Sequence, residues 1–212
     1  MKTKIKSVAV LLLGLCVAHL GVTLFLLSNL GADPFNVLIQ GFTKLLAPVA
    51  PLTHGTVHMI ACGLIIAALL VIDRSYIKLG TLVCMFCGGP IIDVFTILLS
   101  PYINGASSLW LRSAALVGGC FILACGMTVV IESRAGTGPN DLVALVISDK
   151  LHKKFSVVRV LSDACFVLAG ALLGGIFGVG TIVCAFLVGP VAGFFMPYSN
   201  RFCRSLIGDD PR

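Results

Sequence analysis

The chain has 212 residues, 58% of them hydrophobic and only 11% charged, with a mean hydropathy of +1.07. Soluble domains carry about 25% charged residues, so a water-soluble globule is excluded. Roughly six to eight membrane crossings of about 20 residues would also use up the length, leaving no room for a separate catalytic or nucleotide-binding domain. The net charge of +6 lies in short clusters between apolar runs. That pattern orients membrane proteins; it is not a nucleic-acid-binding patch, and no nucleic acid partner is expected.

Lys2, Lys4 and Lys6 precede a charge-free stretch from Ser7 to Ala32. It exceeds the roughly 7–15-residue apolar core of a signal peptide, so it is expected to stay as the first transmembrane helix. Apolar segments follow at 35–50, 55–72 and 79–99, then at 110–131, 139–151, 157–174 and 179–199. The second segment of each set of four is short and opens with a turn and a helix start. In Gly31-Ala-Asp33-Pro34 the aspartate can cap and the proline takes the first helical position; in Gly136-Thr-Gly138-Pro139 glycine and proline do the same. Asn36 and Asp141 then fall in the first turn, where a polar or negative group suits the helix dipole. At about 18–24 Å these helices are too short to cross a ~30 Å core, so they read as re-entrant or interfacial.

The two sets are copies. Leu79 to Phe95 matches Val179 to Phe195 at Gly80/Gly180, Thr81/Thr181, Val83/Val183, Cys84/Cys184, Phe86/Phe186, Gly89/Gly189, Pro90/Pro190 and Phe95/Phe195. The Gly31 and Gly136 turns correspond in the same order upstream, giving one membrane domain of two repeats, 1–104 and 105–212. Equivalent loops carry opposite charge. Arg74 and Lys78 have no basic counterpart between 174 and 180, and Lys150, Lys153 and Lys154 have none between 47 and 54. The amino-terminal lysines and the carboxyl-terminal Arg201 and Arg204 follow the same alternation. Under the positive-inside rule the halves are inverted, each with three crossings, and both termini are cytoplasmic. All 15 basic residues except Lys44, Arg112 and Arg159 then lie on the cytoplasmic side. The expected fold is an all-α bundle of two inverted repeats, each with three spanning helices plus one short re-entrant or interfacial helix.

Candidate site residues follow from this layout. Gly89-Pro90 and Gly189-Pro190 are expected to break their helices near the midplane, freeing the carbonyls of Phe86 and Phe186 for a cation or polar solute. Their competing reading is a packing kink. Asp93 and Asp163 are intramembrane carboxylates, functional by default in lipid. Arg159, four residues before Asp163, can satisfy it locally, and Asp93 can instead face water near the outer interface. Asp33, Asn36 and Asp141, with Gly31, Pro34, Gly136 and Pro139, form two helix-start turns that attract polar solute groups or are simply structural. His19, His54 and His58 lack ligand spacing and read as satisfied polar groups. The nine cysteines read as small buried hydrophobes, Cys84-x-x-Cys87 included. No catalytic grouping is present in the sequence, and neither enzyme activity, metal nor cofactor is expected.

Asn29 to Leu38, His54-Gly-Thr-Val57, Gly136 to Asp141, Ser156-Val-Val-Arg159-Val and the two Gly-Thr…Gly-Pro segments resemble the bacterial YczE/YyaS/YitT membrane family over nearly the whole chain. In that family the first turn often has glycine and aspartate where this chain has Asp33 and Asn36, so the first-half motif is altered here. The resemblance implies a multi-pass protein of the bacterial cytoplasmic membrane. Together with the inverted layout, the expected activity is secondary transport of an unidentified small solute, proton- or cation-coupled, by alternating access. The alternative is a non-transporting scaffold or accessory subunit. The expected partners are the lipid bilayer, that solute and, as a candidate homodimer, a second copy of the chain.

Overall fold

The computed structural model describes residues 2–208; Met1 and 209–212, which include Arg212 of the charge pattern, lie outside it. Eight α-helices follow in order: α1 (Lys2–Ser28), α2 (Pro34–Leu46), α3 (His54–Ile72), α4 (Leu79–Leu99), α5 (Leu109–Glu132), α6 (Pro139–Leu151), α7 (Phe155–Leu172) and α8 (Val179–Ile207), with a 3-10 turn at Arg74–Tyr76. All but α2 and α6 are long and apolar enough to cross a membrane, giving six candidate spans. Large apolar side chains such as Val71, Ile97, Leu168, Leu172 and Trp110 cover the outside of the bundle. In water such a surface would aggregate, whereas lipid tails solvate it.

The bundle is organised around α1 and α5, which pack antiparallel. Gly14 lies against Val129 and Val130, and Gly21 against Gly119 and Leu123; Gly126 touches Ala18. Small residues bring the two backbones together where lipid offers no hydrophobic drive, so dispersion contacts hold them. α4 packs on α1, and α8 on α5.

The ends of α1 and α5 make the same turn. Ser28 donates to the Phe25 carbonyl and accepts from the Leu30 amide; Ser133 donates to Val130 and accepts from Ala135. Asn29 and Arg134 then adopt left-handed φ of 53° and 59°, and Gly31 and Gly136 take φ of 127° and 146°. These last values are open to glycine, and both glycines also press their backbones against the first turn of a partner helix, at Thr181 and Thr81. The Gly180 amide donates to the Leu30 carbonyl at 2.8 Å, and the Gly80 amide to Ala135 at 3.0 Å. The start of α8 is therefore pinned to the end of α1, and the start of α4 to the end of α5.

The expected helix breaks are not found. α4 runs unbroken through Gly89 and Pro90, and α8 through Gly189, Pro190 and Pro197 to Ile207. A proline loses one hydrogen bond, and the surrounding turns retain the helix. Gly89 serves a different purpose, since its carbonyl lies where a Cβ on Gly55 of α3 would sit. Phe86 and Phe186 point outward, 61% and 78% exposed.

At the end of α3, Asp73 caps the 3-10 turn, accepting from the amide and hydroxyl of Ser75, and takes the Lys150 ammonium at 2.9 Å; Tyr76 donates to Asp149. The Ser75 hydroxyl and Lys150 hold the Asp73 carboxyl well below its ordinary 3.8, while Asp73 raises Lys150. A depressed carboxyl stabilises the fold fully above its unfolded value and loses that contribution as pH falls through its lower folded value. The stability difference between the parent and Asp73→Asn should therefore be constant above about pH 5 and shrink toward zero in stronger acid, measured by thermal unfolding in detergent across pH.

Candidate functional site

The short helices start inside the bundle. Asp33 caps α2 by accepting from the Asn36 amide, with Pro34 at the first position; Gly138 and Pro139 open α6 in the same way, without a side-chain cap. α2 runs parallel to α7, with Phe35 on Phe166, and Gly41 against Gly170 and Leu173. Its Gln40 accepts from the Ile176 amide beyond the end of α7. α6 runs alongside α3, with Leu142 and Val146 on Leu69, and ends at the Asp73–Lys150 pair. The end of α7 leads to the start of α8 beside Leu30, whereas the end of α3 leads to the start of α4 beside Ala135. Those two turns lie at opposite ends of the antiparallel α1–α5 pair.

Their starts come together at α7. Arg159 bonds Asp141 through Nη1 at 2.6 Å and Asp163 through Nε at 3.0 Å. Asp33 is engaged by Asn36, which donates to it from its side-chain amide. Asp163 is at the centre of α7, about 12 Å from either end at 1.5 Å per residue. Two carboxylates thus share one guanidinium halfway across the bundle, and the positive ends of α2 and α6 add only partial charge. The three bonded side chains are each about one-third exposed (34%, 30% and 28%).

A second group extends the first. Asn36 donates to Asp33 at 2.7 Å and its amide oxygen accepts from His54 Nε2 at 2.8 Å. Beside them His58 packs edge-on against His19 (5.7 Å) and Phe35 (5.5 Å), and His19 donates from Nδ1 to the Leu15 carbonyl. Composition and spacing within one half did not reveal the histidines as part of a site. The available signal was His54 and His58 four residues apart on one helix, hence on one face. Asp93 forms no salt bridge among the described residues and closes the start of α3 beside His54, accepting from the Thr53 hydroxyl and the Gly55 amide at 2.9 Å. Cys62, Cys84, Cys120 and Cys184 are buried in apolar clusters.

The profile of a family described as "Family of unknown function (DUF6198)" matches residues 5–197. The chain belongs to the DUF6198 family. This DUF6198 chain is 28% identical to an uncharacterised protein of Haemophilus influenzae, over 90% of its own length and 84% of the relative's. It is 25% identical to the uncharacterised protein YyaS of Bacillus subtilis (89% and 92% covered) and 28% identical to the uncharacterised membrane protein YczE of the same organism (88% and 83%). The expected resemblance to YczE and YyaS is met over nearly the whole DUF6198 chain. No solved structure matches it.

Proposed function

We propose that this DUF6198 protein is a secondary transporter of a small solute, coupled to protons or another cation, that works by alternating access between two inverted halves with both termini in the cytoplasm. The observation that carries this reading is the convergence of two half-length helices on Asp141, Arg159 and Asp163, midway across the bundle. The carboxylate excess there suits a cation or a proton, and a charge at such depth is costly unless it is used.

Unequal packing of equivalent helices supports a two-state cycle. α2 packs closely on α7 through Gly41 and Gly170, whereas α6 meets α3 through a few leucine and valine contacts and the surface Asp73–Lys150 pair. α3 packs on α4 along Gly55 and Gly89, but α7 makes no comparable packing on α8, where a Cβ on Gly189 or Gly193 would meet nothing within 4 Å. One half is closed where the other is open, as expected of a single state in a cycle that exchanges them. Asp73–Lys150 would latch the looser side.

Single cysteines replacing Pro34 and Asn140 in a cysteine-free background test the reading with membrane-impermeant thiol reagents. Labelling of both, from opposite faces of the membrane, is expected, with Asp73→Asn speeding reaction at position 140 from the face that bears the termini. Protection of both positions from both faces would mean a dry bundle and favour a scaffold instead.

A further inference from the structure

A cavity of about 640 Å³ opens at the end of the bundle where α1 begins, α4 begins and α5 and α8 end. Lys4, Lys78, Arg134 and Arg204 line it, with Glu132 as the carboxylate among the described residues of its wall. Glu132 already accepts from the Asn200 amide nitrogen, and among the described residues none of the four cations forms a salt bridge. Arg134 and Arg204 sit at helix carboxyl ends, where a cation suits the dipole. Lys4 and Lys78 sit at helix amino ends, where it does not. The positive-inside bias accounts for basic residues at this surface but not for four of them converging on one concavity from four helices.

Comparison with the opposite end of the bundle sharpens the point. There the turn equivalent to Arg134 carries Asn29, and the basic residue, Arg112, is occupied by the Ser28 and Asn29 carbonyls at 2.6 and 3.0 Å. Arg134 holds the same left-handed backbone as Asn29. Asparagine adopts that conformation more readily than arginine, so the guanidinium is kept on the cavity wall against local preference.

We propose that this cavity binds a phosphate-bearing anion, with Arg134 and Lys78 as its principal donors and Lys4 and Arg204 completing the charge. Guanidinium recognises phosphate oxygens with paired N–H groups, and the lysines add point charges. Basic pockets between helix ends at a membrane surface take anionic lipid headgroups, and a soluble phosphate would present the same oxygens. The site lies at the surface, away from the Asp141–Arg159–Asp163 cluster, and does not depend on the transport reading.

The test uses the full chain purified in neutral detergent, with thermal unfolding and equilibrium binding as readouts. Phosphatidylglycerol, phosphatidylcholine, inorganic phosphate and glycerol phosphate are the probes. Stabilisation by phosphatidylglycerol but not by phosphatidylcholine or the soluble phosphates identifies a lipid headgroup; stabilisation by inorganic or glycerol phosphate identifies a soluble ligand; either supports the proposal. Arg134→Asn with Lys78→Gln should weaken the effective probe by about a hundredfold, since each of the two lost charge-assisted bonds carries about tenfold. Arg134→Asn alone should leave the ligand-free melting temperature unchanged or raised, which separates lost binding from lost folding. Equal response to anionic and neutral probes, or unchanged affinity in the double variant, would overturn the proposal.

Discussion

Replacing Arg159 with leucine should destabilise the protein by about 3 kcal/mol, the low end of the range for breaking a buried ion pair. The low end applies because the three side chains are about one-third exposed. The loss comes from Asp141 and Asp163, left facing each other in low dielectric without their shared guanidinium; the leucine itself packs readily. Neutralising the cluster with Asp141→Asn, Arg159→Gln and Asp163→Asn should recover most of the deficit, because no charge is then left unpaired. Reversible unfolding in mixed micelles distinguishes the two. If Arg159→Leu and the triple variant were equally stable, water rather than the arginine would be solvating the carboxylates.

The second large effect concerns the crossing of α3 and α4. Gly55→Ala should cost about 1–3 kcal/mol, the usual range for forcing volume into a packed site. Its new methyl group would meet the Gly89 carbonyl and the Asp93 carboxylate, and a carbonyl in a helix cannot swing aside. It would also disturb the amide that donates to Asp93. Gly189→Ala, at the position in α8 that repeats Gly89 of α4, should be neutral or stabilising by up to about 1 kcal/mol, because nothing lies within 4 Å of its Cβ and alanine favours helix. Parallel thermal melts of the two variants measure the asymmetry directly. Similar losses at both positions would mean that α7 closes on α8 for most of the protein's lifetime.

Much of the bundle was legible in the residues. Six long apolar runs announced the spans, and the bounds of α4 and α6 fall where the sequence placed them. The helix starts at Pro34 and Pro139 were readable because capping is a local chemistry, complete within four residues. α8 outran its expected end at 199 because the apolar run stops at Asn200 and Arg201, yet helical hydrogen bonding continues to Ile207. The Gly-Pro pairs misled for a different reason: a proline in sequence shows the lost hydrogen bond but not the neighbours that hold the helix together. The Arg159–Asp163 pair was visible as an i,i+4 spacing, but its extension to Asp141 on another helix was not. Nor was the Asp33–Asn36–His54 chain, whose members come from α2 and α3. Contacts between distant segments depend on how helices pack, and a periodic apolar pattern fixes which face is inward without naming the face it meets.

The exchanged turns bear on how the protein is made. α4 is synthesised before α5, so the Gly80 amide must wait for a carbonyl, that of Ala135, that comes about a quarter of the chain later. α8 in turn closes on Leu30, laid down near the beginning. Neither half can complete its own last helix from within. Assembly then has two successive locks, the first available once Ala135 is made and the second only once α8 begins, and a chain stalled between them would leave the Leu30 carbonyl without its α8 partner.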